Sequence, residues 1–130
     1  MEFKYQNALV VDDSLTLRSI LISHLKDCGL VKYKEASNGA QAIEILKKDP
    51  NGYFDVIFTD WKMPQLDGIE LIKYVRSDKS RPQPTIVIVT SEGEKDSVLK
   101  AMSVGADFFI LKPFTAESVK EALRNLATKS

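Results

Sequence analysis

Thr85-Ile-Val-Ile-Val-Thr90 is an almost unbroken apolar run, dominated by β-branched residues, and it suits a strand covered on both faces better than one with a wet side. A strand buried twice requires helices on both sides of its sheet. Four other runs have strand length and composition: Ala8 to Val11, Tyr33 to Ala36, Phe54 to Thr59 and Asp107 to Leu111. Between runs the apolar period becomes helical, with one stripe through Leu17, Ile20, Leu21, His24 or Leu25, and Cys28. Two more pass through Val98, Ala101, Met102 and Gly105, and through Val119, Ala122, Leu123 and Leu126. Strands alternating with helices predict an α/β fold, a doubly wound (βα)5 three-layer sandwich, since right-handed crossovers leave few other arrangements.

Boundary residues agree with that division. Ser14 or Asp13 can cap the first helix and Gly29 can end it. Asn38-Gly39 reads as a turn pair, Arg81-Pro-Gln-Pro84 as a stiff connection into the fourth strand, and Thr115 as the cap of the last helix. There is no internal repeat and no low-complexity stretch. Residues 1–130 are expected to form one domain without a separate output domain.

In an open parallel sheet the carboxyl ends of the strands share one edge, where ligands bind. Asp12 and Asp13 follow the first run, Asp60 closes the third, Thr90 the fourth and Lys112 the fifth. Three carboxylates, a hydroxyl and an ammonium therefore converge. Adjacent carboxylates resist joint ionisation unless a cation joins them, and an all-oxygen cluster suits a hard ion such as Mg²⁺. The pattern reads as a metal-assisted phosphoryl site.

Each residue also has a plainer reading. Asp12 and Asp13 could cap a helix, Asp60 and Asp67 could be turn residues around Pro64 and Gly68, Thr90 could simply end a strand, and Lys112 could extend to solvent. Only the joint pattern argues against all of these at once.

Lys plus Arg and Asp plus Glu both total 18, a net charge of zero, so no general attraction to nucleic acid or an anionic membrane is expected. Cys28 has no partner for an internal disulfide, and the first residues lack the apolar stretch of a signal peptide or membrane span. A cytoplasmic monomer is expected.

Val10-Val-Asp-Asp-Ser14, Thr59-Asp-Trp-Lys-Met-Pro-Gln-Leu-Asp-Gly68, Val89-Thr-Ser91 and Gly105-Ala-Asp-Phe-Phe-Ile-Leu-Lys-Pro-Phe114 together resemble the signature blocks of bacterial two-component response-regulator receiver domains. Asp-Trp-x-Met-Pro and Lys-Pro-Phe-Thr-Ala are similar to the stand-alone chemotaxis (CheY-like) type. The resemblance implies a flavodoxin-like sheet of order 2-1-3-4-5. It also implies that Asp60 is the phosphoacceptor, forming an acyl phosphate, and that Asp13, Asp60 and the backbone carbonyl of Lys62 ligate Mg²⁺ directly. Asp12 would reach the ion through water. Lys112 and Thr90 would contact phosphoryl oxygens, and Thr90 with Phe109 would form a two-state switch reporting to the face of helix 4, strand 5 and helix 5. Phe109 stands where chemotaxis regulators more often carry tyrosine, and it could equally be packing. The implied partners are a sensor histidine kinase, a phosphorylation-dependent protein target such as the flagellar switch, and a phosphatase. An intermediate or phosphate sink in a relay outside chemotaxis is the alternative output. Catalysis is expected only on itself, as phosphorylation and slow hydrolysis.

Lys62 occupies a position where asparagine is usual in such regulators, and Glu92 lies two residues beyond Thr90. The two could face each other across the pocket mouth and slow the attack of water. Met63-Pro64 would shape the loop that presents the Lys62 carbonyl. Trp61 is expected beside the metal site rather than deep in the core, His24 at the core or its margin, and Cys28 as a small hydrophobe. A haloacid-dehalogenase-like phosphatase also uses an aspartate nucleophile and Mg²⁺. It requires a second aspartate two residues after the first-strand nucleophile, and here Ser14 and Leu15 follow the Asp12-Asp13 pair. A flavin carrier on a similar fold would need a phosphate-cradling loop after the first strand, and that loop has no glycine.

Overall fold

The computed structural model describes residues 5–49, 54–61, 67–80, 82–91 and 95–129. Strands β1 (Asn7–Val11), β2 (Lys32–Ala36), β3 (Val56–Asp60), β4 (Thr85–Ser91) and β5 (Phe108–Lys112) alternate with helices α1 (Leu15–Asp27), α2 (Gly39–Lys47), α3 (Gly68–Ser77), α4 (Lys95–Val104) and α5 (Ala116–Lys129). All strand pairs are parallel and the order is β2-β1-β3-β4-β5. That is the expected flavodoxin-like sheet.

The two-residue period of each strand divides the core into two layers. Ala8, Val10, Val56, Phe58, Val87, Val89 and Ile110 face one way, onto Leu21, Ile22 and Leu25 of α1 and Val119, Leu123 and Leu126 of α5. Leu9, Val11, Ile57, Ile86 and Ile88 face the other, onto α2, α3 and α4 through residues such as Leu46, Leu71, Ile72 and Ala101. Each fully buried aliphatic side chain contributes roughly 1.5–3 kcal/mol, so both layers hold the central strands rigidly beneath the site.

Three local expectations change. In α1, Ile20 is 41% exposed and Ile22 is buried in its place, because the helix turns about 100° per residue and Leu21, Ile22 and Leu25 define the inward stripe. Asn38-Gly39 is not a free turn: the Asn38 side chain accepts from Gln41 N at 2.8 Å and caps α2, with Gly39 as its first residue. The second run starts one residue earlier than expected and is an edge strand with exposed Lys32, Lys34 and Glu35, charges of the kind that discourage further strand pairing. The other caps hold. Ser14 accepts from Leu17 N at 3.2 Å, Thr115 Oγ1 accepts from Ser118 N at 3.1 Å, and Gly29, at φ +111°, follows the last turn of α1.

Candidate functional site

At the carboxyl edge β1 runs into Asp12, whose N–H donates to the Ala36 carbonyl at 3.1 Å and extends the pairing with β2. Asp12 is buried, and its Oδ1 accepts from Ser14 N at 2.8 Å. Ser14 itself caps α1, so neither aspartate is spent as the helix cap. Asp60 ends β3 and is 8% exposed. Its Oδ1 accepts from Trp61 N at 2.8 Å and lies 3.2 Å from the Lys112 ammonium, which is also 3.4 Å from Asp12 Oδ2. Lys112 therefore turns inward at the end of β5 instead of extending to solvent.

Asp12, Asp13 and Asp60 each place a carboxylate oxygen so that the three atoms lie within 4.8 Å of one another. Burial pushes the Asp60 carboxyl up to about 6; the Lys112 charge pulls it down and the Asp12 charge pushes it up again. An all-oxygen set with surplus negative charge and two buried members, Asp12 and Asp60, fits a hard divalent cation. The residues thus suit Mg²⁺.

Gly68 sets how closely α3 can approach the acceptor strand. A Cβ there would lie 2.8 Å from the Asp60 carbonyl oxygen and 3.3 Å from Trp61 Cα, and Gly68 N donates to the Trp61 carbonyl at 3.0 Å. Asp67 caps the same helix by accepting from Glu70 N at 3.1 Å. Sequence reasoning treated Gly68 only as the end of a turn, and Asp67 as a candidate turn residue.

Thr90 lies at the same edge, near the end of β4, and is 1% exposed. In the β4–β5 register Ile88 pairs with Phe109 and Thr90 with Leu111, so Thr90 and Phe109 share one face of the sheet. Phe109 is half-buried against the α3 and α4 layer and stacks on Phe108, ring centroids 5.5 Å apart. Trp61 departs from expectation: it is 8% exposed and its ring belongs to the second core layer, while its backbone N–H donates to Asp60. His24 is at the core margin, edge-on to Phe114 at 6.1 Å, and Cys28 is buried with its thiol pKa raised, chiefly by burial. Lys62, Met63, Pro64, Arg81 and Glu92 lie outside the described residues.

Residues 8–124 match the family described as response regulator receiver domain. The chain belongs to the receiver-domain family. Among relatives, the chemotaxis protein CheY-3 of Vibrio cholerae is 38% identical over 120 residues, covering 92% of this chain and 90% of that protein. CheY1 of Helicobacter pylori is 42% identical over 115 residues, 88% and 91% of the two chains. The solved structure of CheY4 from Vibrio cholerae superposes with a TM-score of 0.81 at 30% identity, covering 93% of this chain and 98% of that one. The protein is thus a receiver domain of two-component signalling, with homologues in chemotaxis.

One residue of this receiver domain was missed in the sequence. Arg18 reaches back from α1 to donate from Nη1 to the Asp12 carbonyl at 2.5 Å and from Nε to Glu35 Oε1 at 2.8 Å. Side chains on a helix lean toward its N-terminus, so an arginine four residues after a capping Ser14 was the available signal.

Proposed function

We propose that this receiver domain takes a phosphoryl group on Asp60 from a histidine kinase and thereby changes its affinity for a protein target, in the control of chemotaxis. The observation that carries the reading is the convergence of Asp12, Asp13 and Asp60 with the Lys112 ammonium at the strand ends. An Asp60 oxygen attacks phosphorus of a phosphohistidine, the new P–O bond forms as the P–N bond breaks, and the departing imidazole takes up a proton. Lys112 stabilises charge on the phosphoryl oxygens, where positioning and electrostatics supply most of the catalysis. Thr90 donates its hydroxyl to one of them. Asp13 and Asp60, with the Lys62 carbonyl, would hold Mg²⁺ directly and Asp12 would hold it through water; when bound, the ion would supply the remaining charge neutralisation. Hydrolysis of the acyl phosphate restores Asp60 and ends the signal; Lys62 and Glu92 tune its rate by hindering the water.

The switch reading rests on Thr90 and Phe109 sharing a face of the sheet. Phosphorylation draws Thr90 toward the acceptor and changes the space open to the Phe109 ring, biasing the surface of α4, β5 and α5. The chemotaxis output rests on the relatives named above, and the flagellar switch is the target that follows from it. The protein acts in the cytoplasm, where a kinase catalytic core has ATP. Phosphotransfer from each histidine kinase of the host, with capture of phosphorylation-dependent partners, tests the reading. One kinase should transfer rapidly, and Thr90→Ala should accept the phosphoryl group yet lose partner capture. Equal capture by Thr90→Ala would overturn the switch; transfer from no kinase would overturn the kinase assignment.

A further inference from the structure

We propose that Arg18, braced by Glu35, is a positioning residue for the Asp13 carboxylate; this rests on the reading of Asp13 as a metal ligand. The Asp12 carbonyl that Arg18 holds at 2.5 Å belongs to the same planar peptide unit as the Asp13 N–H. Rotation of that peptide would swing the Asp13 Cα, and with it the carboxylate. Asp12 is fixed on its other side by the bond from its N–H to Ala36 O at 3.1 Å and by Ser14 N on its Oδ1 at 2.8 Å. Asp13 is the exposed member of the acidic triad, so packing does little to hold it. Its backbone orientation does.

Arg18 is itself well held. Its side chain is 12% exposed, and Glu35, paired across from Val10 on β2, fixes the guanidinium at 2.8 Å. Neither helix electrostatics nor metal binding explains a cation there. A positive charge is disfavoured near a helix N-terminus, and in contact with the Asp12 backbone at the edge of the acidic site it opposes a divalent ion. The two accounts therefore differ in sign. If Arg18 acted through charge alone, removing it would tighten Mg²⁺ binding; as a brace for Asp13, its removal weakens binding.

The test is calorimetric titration of Mg²⁺ into wild type, Arg18→Met, Arg18→Lys, Asp13→Asn and the Arg18→Met/Asp13→Asn double variant, with thermal melts of each. Loss of a group that orients a metal ligand typically weakens binding about 10-fold or more, and Arg18→Met should show a loss of that order. Arg18→Lys, which keeps the charge and one donor, should recover part of it. In the Asp13→Asn background Arg18→Met should add no further loss, because coupled residues are not additive. An unchanged or tighter Kd in folded Arg18→Met overturns the proposal, as does a further loss of the same size in the double variant. If Arg18→Met does not fold, Arg18→Lys carries the test, and a Kd equal to wild type overturns the proposal. Wild-type affinity in Asp13→Asn would instead overturn the ligand reading itself.

Discussion

Lys112 Nζ lies 3.2 Å from Asp60 Oδ1, so the last residue of β5 and the last residue of β3 form an ion pair across the carboxyl edge of the sheet. β4 lies between those strands, which places the pair over the end of the strand that carries Thr90. The ammonium partly neutralises the acidic cluster, and for that reason it also opposes a second cation there.

Lys112→Ala should separate metal binding from chemistry. Mg²⁺ affinity should be retained or rise, because a competing positive charge is gone, while uptake of a phosphoryl group from a small acyl-phosphate donor should slow by about 10²-fold, as when a preorganised charge stabiliser is removed. Titration of Mg²⁺ and single-turnover phosphorylation would check the two arms. Loss of Mg²⁺ affinity with no slowing would reverse the roles assigned to Lys112.

Asp60 gives a pH dependence whose sign follows from its burial. Its carboxyl is raised to about 6 in the folded protein, against about 3.9 in an unfolded chain, so the folded state binds the proton more tightly. The stability this gives is fully present below the unfolded value and is lost as pH rises through about 6. In Mg²⁺-free buffer, Asp60→Asn should therefore raise the melting temperature at pH 7.5, by an effect of up to roughly 3 kcal/mol, and the difference should shrink toward zero near pH 4. Added Mg²⁺ should stabilise wild type more than Asp60→Asn. A variant less stable than wild type at pH 7.5 would show that the buried charge is fully compensated without metal.

Gly68→Ala tests how closely α3 must approach the acceptor. The added Cβ would meet the Asp60 carbonyl at 2.8 Å, a backbone atom that cannot swing aside, so a loss of about 1–3 kcal/mol is expected. Phosphorylation should slow in the protein that remains folded, because the strand end carrying Asp60 is displaced. Chemical denaturation and donor kinetics measure both, and a neutral effect would mean that α3 shifts freely.

Much of this was legible because a parallel sheet turns sequence order into spatial order. Asp12, Asp60, Thr90 and Lys112 could be assigned to one edge as soon as the strand ends were placed. What could not be read depended on rotation about single side chains. The inward turn of the Trp61 ring, the reach of Arg18 to the Asp12 carbonyl and the exposure of Ile20 are each set by a helix phase or a rotamer. Short polar residues were legible as boundaries but ambiguous in type: Asn38 and Asp67 serve turns and helix caps by the same side-chain hydrogen bond.

The most direct measurement is the intact mass of the protein after incubation with an acyl-phosphate donor, with and without Mg²⁺, followed by peptide mapping. Wild type should gain one phosphoryl group in the presence of Mg²⁺, mapped to Asp60, and Asp60→Asn should gain none. Modification that is independent of Mg²⁺, or that persists in Asp60→Asn at another residue, would contradict the account.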